Sequence, residues 1–168
     1  MDDELWMIFA ADRQVTNGSS YIDFEILQKS LTINKLGVDA KGFDYGNFIS
    51  AGTDNGRTIG DILVTVEFTQ GGGSAHVVTR KWNGTIYVEF TPKSGTIFGT
   101  NNTAITPVPY PVYNQDPINP GGNPLVWAYE PNQWAEGAAN LTALFGSNDP
   151  CFVVSTLFVR TRTSGSSG

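Results

Sequence analysis

Ser20-Tyr-Ile-Asp-Phe-Glu-Ile-Leu-Gln28 is the stretch on which the reading of the whole chain turns. Ile22, Phe24 and Ile26 fall on one side at period two, and Tyr21, Asp23, Glu25 and Leu27 fall on the other. One face is apolar and the other carries paired carboxylates. That pattern fits a strand whose apolar face lies on a core and whose acidic face enters a groove or a polar network.

Working outward, Asp61 to Thr69 repeats the alternation, with Ile62, Val64, Val66 and Phe68 inward and Leu63, Thr65, Glu67 and Thr69 outward. Gly71-Gly72-Gly73-Ser74 supplies a turn, Ala75 to Trp82 returns, Asn83-Gly84 turns again, and Thr85 to Thr91 runs back, which predicts a three-stranded antiparallel meander. On the other side, Leu5 to Ala11 is a continuous apolar run and is expected to be a central strand. Asn17-Gly18 is expected to turn it into a hairpin with the Ser20–Gln28 strand. Between Lys29 and Gly60, Gly37, Gly42, Gly46, Gly52 and Gly56 read as breaks, leaving room for one or two short edge strands. Six prolines between Pro107 and Pro124 confine that region to edge or loop, because proline donates nothing to a ladder.

Gln133 to Phe145 is ambiguous. Trp134, Ala138, Leu141 and Phe145 fit a helical face, but Gly137 costs a helix about 1 kcal/mol relative to Ala. The expectation is a strand to Asn140 followed by one helical turn over Leu141 to Phe145. Cys151 to Arg162 then forms the closing strand, and residues 163–168 read as a flexible linker, tag or truncation point. The fold expected is all-β, an antiparallel β-sandwich of jelly-roll or lectin-like type with at most one or two short helical turns. It occupies residues 1–162 as a single domain.

Composition narrows the chemistry. At 168 residues the chain can bury about two-thirds of its unfolded surface without disulfides. Only 15% of residues are charged, with Asn, Thr, Ser and Gly in their place. A net charge of −6 and a pI near 4.6 argue against nucleic acid as a partner, since binding it requires Lys and Arg to displace counterions. A single cysteine, Cys151, excludes an internal disulfide and a Cys-based zinc site. No apolar run is long enough for a membrane span, and Met1-Asp-Asp-Glu4 lacks the parts of a signal peptide. Those features leave a cytosolic chain or a piece of a longer exported protein. The Lys-poor, Gly-, Asn- and Thr-rich composition favours the exported one, at the cell surface.

Among constellations that carry chemistry, the lone His76 lacks a carboxylate beside it that would mark a base and its orienting partner. Gly71-Gly72-Gly73 joins two strands and is not followed by Lys and Ser or Thr, so it is not a phosphate loop. Asp12, Asn17, Asp23 and Glu25 are hard oxygen donors near turns and are the candidate ligands for a calcium ion, although nothing spaces them as an EF-hand would. The plainer alternative is that Asp23 and Glu25 accept hydrogen bonds from Arg13 or from backbone. Trp82, Tyr110, Tyr113, Trp127 and Tyr129 are the candidate sugar-stacking rings. Trp6 and Trp134 are expected to be packed.

Trp6 to Arg13, Asn17-Gly18, Asp23-Phe24-Glu25, Gly60 to Thr65, Lys81-Trp82-Asn83-Gly84, Trp134-Ala-Glu136, Asn140-Leu-Thr142 and Arg160-Thr161-Arg162 together resemble a recurrent domain of bacteria. It is the β-sandwich found in very large secreted surface proteins, including gliding-type adhesins of the Bacteroidota. The resemblance implies a non-catalytic extracellular module acting in adhesion or as a structural repeat, with glycans or neighbouring copies of the module as partners and no insertion into a membrane. The alternative is a carbohydrate-binding module attached to an adhesin or a glycoside hydrolase. A third reading is a jelly-roll glycosidase. Jelly-roll glucanases carry Glu-x-Asp-x-Glu on one strand, and here Tyr21 stands where the nucleophile would be.

Overall fold

The structure is a computed structural model that describes residues 4–13, 16, 19–68, 75–113, 125–146 and 154–162; for 110–113 and 125–126 it describes the backbone. Its centre is β2 (Ser20–Leu27), flanked by β12 (Thr156–Arg162) and β5 (Ile62–Phe68). β6 (His76–Trp82) and β7 (Tyr87–Glu89) continue the sheet in the order β12-β2-β5-β6-β7, and every neighbouring pair is antiparallel. The expected meander is therefore present as β5-β6-β7. A second antiparallel sheet runs β1-β11-β8, made of β1 (Trp6–Asp12), β11 (Trp134–Asn140) and β8 (Ile97–Asn101).

The two sheets face each other across one core. Ile22, Phe24 and Ile26 of β2 and Ile62, Val64, Val66 and Phe68 of β5 meet Phe9 of β1 and Ala135 and Ala139 of β11. Each fully buried Val, Ile or Phe contributes about 1.5–3 kcal/mol, so this layer outweighs any surface pairing. The Phe9 and Phe24 rings touch across the gap with centroids 4.3 Å apart. Gly137 makes room for that contact, because a Cβ there would lie 2.5 Å from the Phe9 ring and 2.7 Å from the Phe98 carbonyl oxygen. The fold is an antiparallel β-sandwich, with one short helix among the described residues.

That helix, α1 (Leu141–Phe145), follows β11 without a loop. Asn140 ends the strand and caps the helix, its side-chain oxygen accepting from the Ala143 N–H at 2.9 Å. Gly146, at φ 71°, closes the far end in the left-handed conformation. Leu141 and Leu144 seal one end of the core.

Two expectations about order are corrected. β1 is an edge strand, and it pairs with β11 rather than forming a hairpin with β2. Its apolar run suggested burial on both faces, yet only Phe9 and its flanking Met7 and Ala11 reach the core, and Ile8 is 79% exposed on the outer face. Asn17 and Gly18, the expected turn, lie outside the described residues. The second correction concerns the glycine-rich connection, which forms β3 (Leu31–Val38) and β4 (Asp44–Ser50), a separate two-stranded hairpin. Gly37 and Gly46 are not breaks. They sit inside the strands where a Cβ would run into the Tyr45 ring and the Asn34 backbone, respectively.

In the proline-rich region β9 (Thr106–Tyr113) pairs with β10 (Leu125–Tyr129) as a second two-stranded sheet. Pro107, Pro109 and Pro111 leave this strand short of donors, and its register with β10 shifts between Val126 and Ala128. Gly71–Gly73, Cys151 and residues 163–168 lie outside the described residues.

Candidate functional site

Because β2 alternates, Asp23 and Glu25 project from the face of the five-stranded sheet opposite the core. Both are nonetheless buried, at 0% and 2% exposure. A carboxylate removed from water persists only where donors replace the lost hydration. The neighbouring strands supply them. On β12, Arg160 lies directly across from Asp23 and Arg162 across from Tyr21. Asp23 Oδ2 accepts from Arg160 Nε at 2.8 Å and Arg162 Nε at 2.6 Å, while Oδ1 accepts from Arg162 Nη2 at 3.0 Å and Thr65 Oγ1 at 2.8 Å. Arg162 thus grips the carboxylate with two nitrogens and stacks over the Tyr21 ring at 5.0 Å. From β6, Arg80 Nη1 donates to Thr65 Oγ1 at 3.3 Å and extends the chain of donors.

Burial on its own would push the Asp23 carboxyl up. The hydrogen bonds from Arg162, Thr65 and Arg160, together with the charge of Arg162, more than offset it and hold the group below the usual carboxylate range.

Glu25 is met from the other side. Its Oε1 accepts from Arg57 Nε at 2.5 Å and from the Tyr87 hydroxyl at 2.7 Å. Arg57 is presented by a tight turn over Asp54-Asn55-Gly56-Arg57, in which Asn55 and Gly56 take positive φ and Asp54 and Arg57 bridge. Its guanidinium lies 5.0 Å from the Trp82 ring and 5.1 Å from the Tyr87 ring, and those two rings meet edge to face. Burial and then the Glu25 charge raise the Tyr87 phenol above its ordinary range, so it stays a neutral donor. The Trp82 Nε1 is buried without a hydrogen-bond partner among the described residues.

The candidate ligand residues are dispersed. Asp12 accepts from the Tyr129 hydroxyl at 2.8 Å in the other sheet, far in topology from β2. Asn17 lies outside the described residues. Asp23 and Glu25 share a strand, but Asp23 is committed to Arg160 and Arg162 and Glu25 to Arg57. No group of three His, Cys, Asp or Glu residues with metal-binding geometry occurs among the described residues. Arg13, expected to serve Asp23 or Glu25, instead donates to the Asn132 carbonyl and Ser20 hydroxyl, both at 2.7 Å, and lies over the Phe68 ring.

The candidate aromatic residues are likewise spread out. Trp82 is buried against Arg57, and Tyr129 is buried against Asp12. Trp127 stands out from β10 at 61% exposure. The side chains of Tyr110 and Tyr113 lie outside the described residues. Trp6, expected to be packed, is 38% exposed and stacks on Phe98 on the open face of the smaller sheet. His76 is exposed at the start of β6.

The residues that sequence reasoning missed are Arg57 and Tyr87 as partners of Glu25 and the arginine pair as partners of Asp23. A signal for the second existed, since Arg160-x-Arg162 repeats at period two the spacing of Asp23-x-Glu25 with opposite charge. No protein family, curated protein or solved structure matches the chain.

Proposed function

We propose that the chain is a non-catalytic β-sandwich module of a larger exported bacterial protein, serving at the cell surface in adhesion or as a structural repeat. The observation that supports this reading is the state of the two carboxylates on β2. A retaining glycosidase needs one carboxyl free to attack and another able to give up a proton to the leaving group. Asp23 is wholly buried under two arginines that keep it ionised, and Glu25 is buried under Arg57 and Tyr87. Neither can reach a sugar without dismantling the network that holds it, and Tyr21 occupies the third position on the same face. The exported location rests on composition and on the resemblance to surface-protein modules.

The test is a reducing-end assay on a panel of β-glucans, run beside thermal melts. Wild type should give no turnover, and Asp23→Ala should lower the melting temperature. Turnover by wild type that Asp23→Ala or Glu25→Gln abolishes without shifting the melt would overturn the reading.

Carbohydrate binding is a second reading, and the exposed Trp127 ring on β10 favours it. Retention on insoluble polysaccharide that Trp127→Ala removes would support it, and a blank glycan array would leave the spacer role.

A further inference from the structure

We infer that β4 is a pairing edge through which two copies of the chain join as an antiparallel, two-fold dimer centred on Asn47. The hairpin of β3 and β4 stands apart from both sheets of the sandwich, and among the described residues each strand pairs only with the other. A two-stranded sheet alone is marginal in water. This one also leaves Ile33, Leu36, Tyr45, Phe48 and Ile49 more than half exposed, with the edge-on contact of Phe48 and Phe158 as its aromatic tie to the sandwich. A hairpin so built gains stability from an additional strand.

Several of the other edges in the molecule are guarded in the ways that natural sheets guard them. β3 carries Lys35 and a register shift between Lys35 and Gly37, and its Leu31 N–H already donates to Thr156 Oγ1 at 3.0 Å. β9 carries alternating prolines and β7 is three residues long. β1, β8 and β10 carry no lysine, arginine or proline, but among the described residues none leaves as many apolar side chains exposed as the β3–β4 hairpin does. β4 reads Asp44-Tyr-Gly-Asn-Phe-Ile-Ser50, with no lysine, arginine, proline or bulge on it.

The backbone register fixes which groups are available. The Ala51 N–H donates to the Ser30 carbonyl at 3.0 Å, and the Phe43 carbonyl accepts from the Asp39 N–H at 2.8 Å. Odd-numbered residues between them therefore turn their amide groups toward β3, and Asp44, Gly46, Phe48 and Ser50 turn theirs outward. A second β4 laid antiparallel about Asn47 sets Asp44 opposite Ser50 and Gly46 opposite Phe48, so that outward groups meet outward groups. On the alternate positions Tyr45 falls opposite Ile49, an aromatic and β-branched pair, and no like charges face each other. The contact is isologous and closes at two copies, because the guarded β3 edges are left on the outside.

The inference stands apart from the reading of the acidic strand, since a chain that bound or cleaved a glycan could pair in the same way. Sedimentation of the full chain across a concentration series tests it, with the mass expected to rise from 18.2 kDa to twice that value. Asn47→Lys sets two ammonium groups against each other across the axis and should leave a monomer at concentrations where wild type is dimeric, with the melt unchanged only at dilutions where wild type is itself monomeric, because position 47 is exposed. Asn47→Cys in a Cys151→Ser background should cross-link on oxidation as a covalent dimer, and it decides the matter even if the lysine variant fails to fold. A wild type that stays at 18.2 kDa throughout overturns the inference, as does a dimer indifferent to Asn47→Lys that yields no Asn47→Cys cross-link.

Discussion

Outside the sandwich core the molecule has two contrasting regions, the charged outer face of the five-stranded sheet and the apolar β3–β4 hairpin. The first takes side chains that prefer water and buries them, with Asp23, Glu25, Arg57 and Arg162 matched donor to acceptor. The second takes side chains that prefer burial and leaves them open. The difference teaches where specificity and tolerance lie. A buried ion pair gains little over an apolar substitute but is costly to halve, so the charged face admits few single changes. Each exposed apolar residue of the hairpin can be changed at little cost to the fold.

The contrast breaks most sharply at Asp23. Asp23→Ala leaves Arg160, Arg162 and Thr65 without their shared acceptor, and chemical denaturation should show a loss of about 4 kcal/mol. The same carboxylate sets a pH dependence. Its pKa is depressed below the unfolded value of 3.8, so its stabilisation is fully present above that value and is lost as pH falls through the depressed folded one. Urea midpoints should fall as pH drops below about 4, and Asp23→Asn should flatten that decline. An equally steep decline in the variant would assign acid sensitivity to other carboxylates.

Next in size is Arg57→Ala, which leaves Glu25 buried with only the Tyr87 hydroxyl and should cost about 3 kcal/mol. Tyr87→Phe removes one hydrogen bond to a charged group while keeping the ring against Trp82, and about 1.5 kcal/mol is expected in the same melts. On the hairpin, Lys35 and Asp44 form an exposed pair at 2.6 Å, and Lys35→Ala should change stability by less than about 0.5 kcal/mol. A hairpin substitution as costly as Arg57→Ala would erase the distinction between the two regions.

The sandwich was legible because its strongest signal is local. Ile22, Phe24, Ile26 and the matching residues of β5 announce their face by period two alone, and the switch from strand to helix at Asn140 follows from Gly137 and the helical spacing beyond it. Partners on distant strands were not legible. Arg57 reaches Glu25 from a turn 32 residues away and Arg162 reaches Asp23 across 139, separations over which periodicity carries no information. Arg13 lies nearer in sequence, but it sits over Phe68 and beside Ser20 on the core-facing side of the sheet, whereas Asp23 and Glu25 project from the opposite face. Glycine misled for a related reason. Gly46 is required by its close approach to the Asn34 backbone and Gly37 lies under the Tyr45 ring, and a sequence shows the residue without showing what lies above it.

The bare backbone at Gly137 beneath the Phe9 ring has a consequence for how this chain can change over time. Position 137 cannot accept a side chain while position 9 holds a phenyl ring, and shrinking Phe9 alone opens a void that costs about 3–5 kcal/mol when the ring is removed entirely. A descendant with a side chain at 137 must therefore change position 9 and also shift the β8 backbone at Phe98, trading volume between neighbouring strands of one sheet. Phe9→Leu combined with Gly137→Ala should be less damaging than the sum of the two single changes. Among homologues, these two positions, 128 residues apart, should vary as a pair.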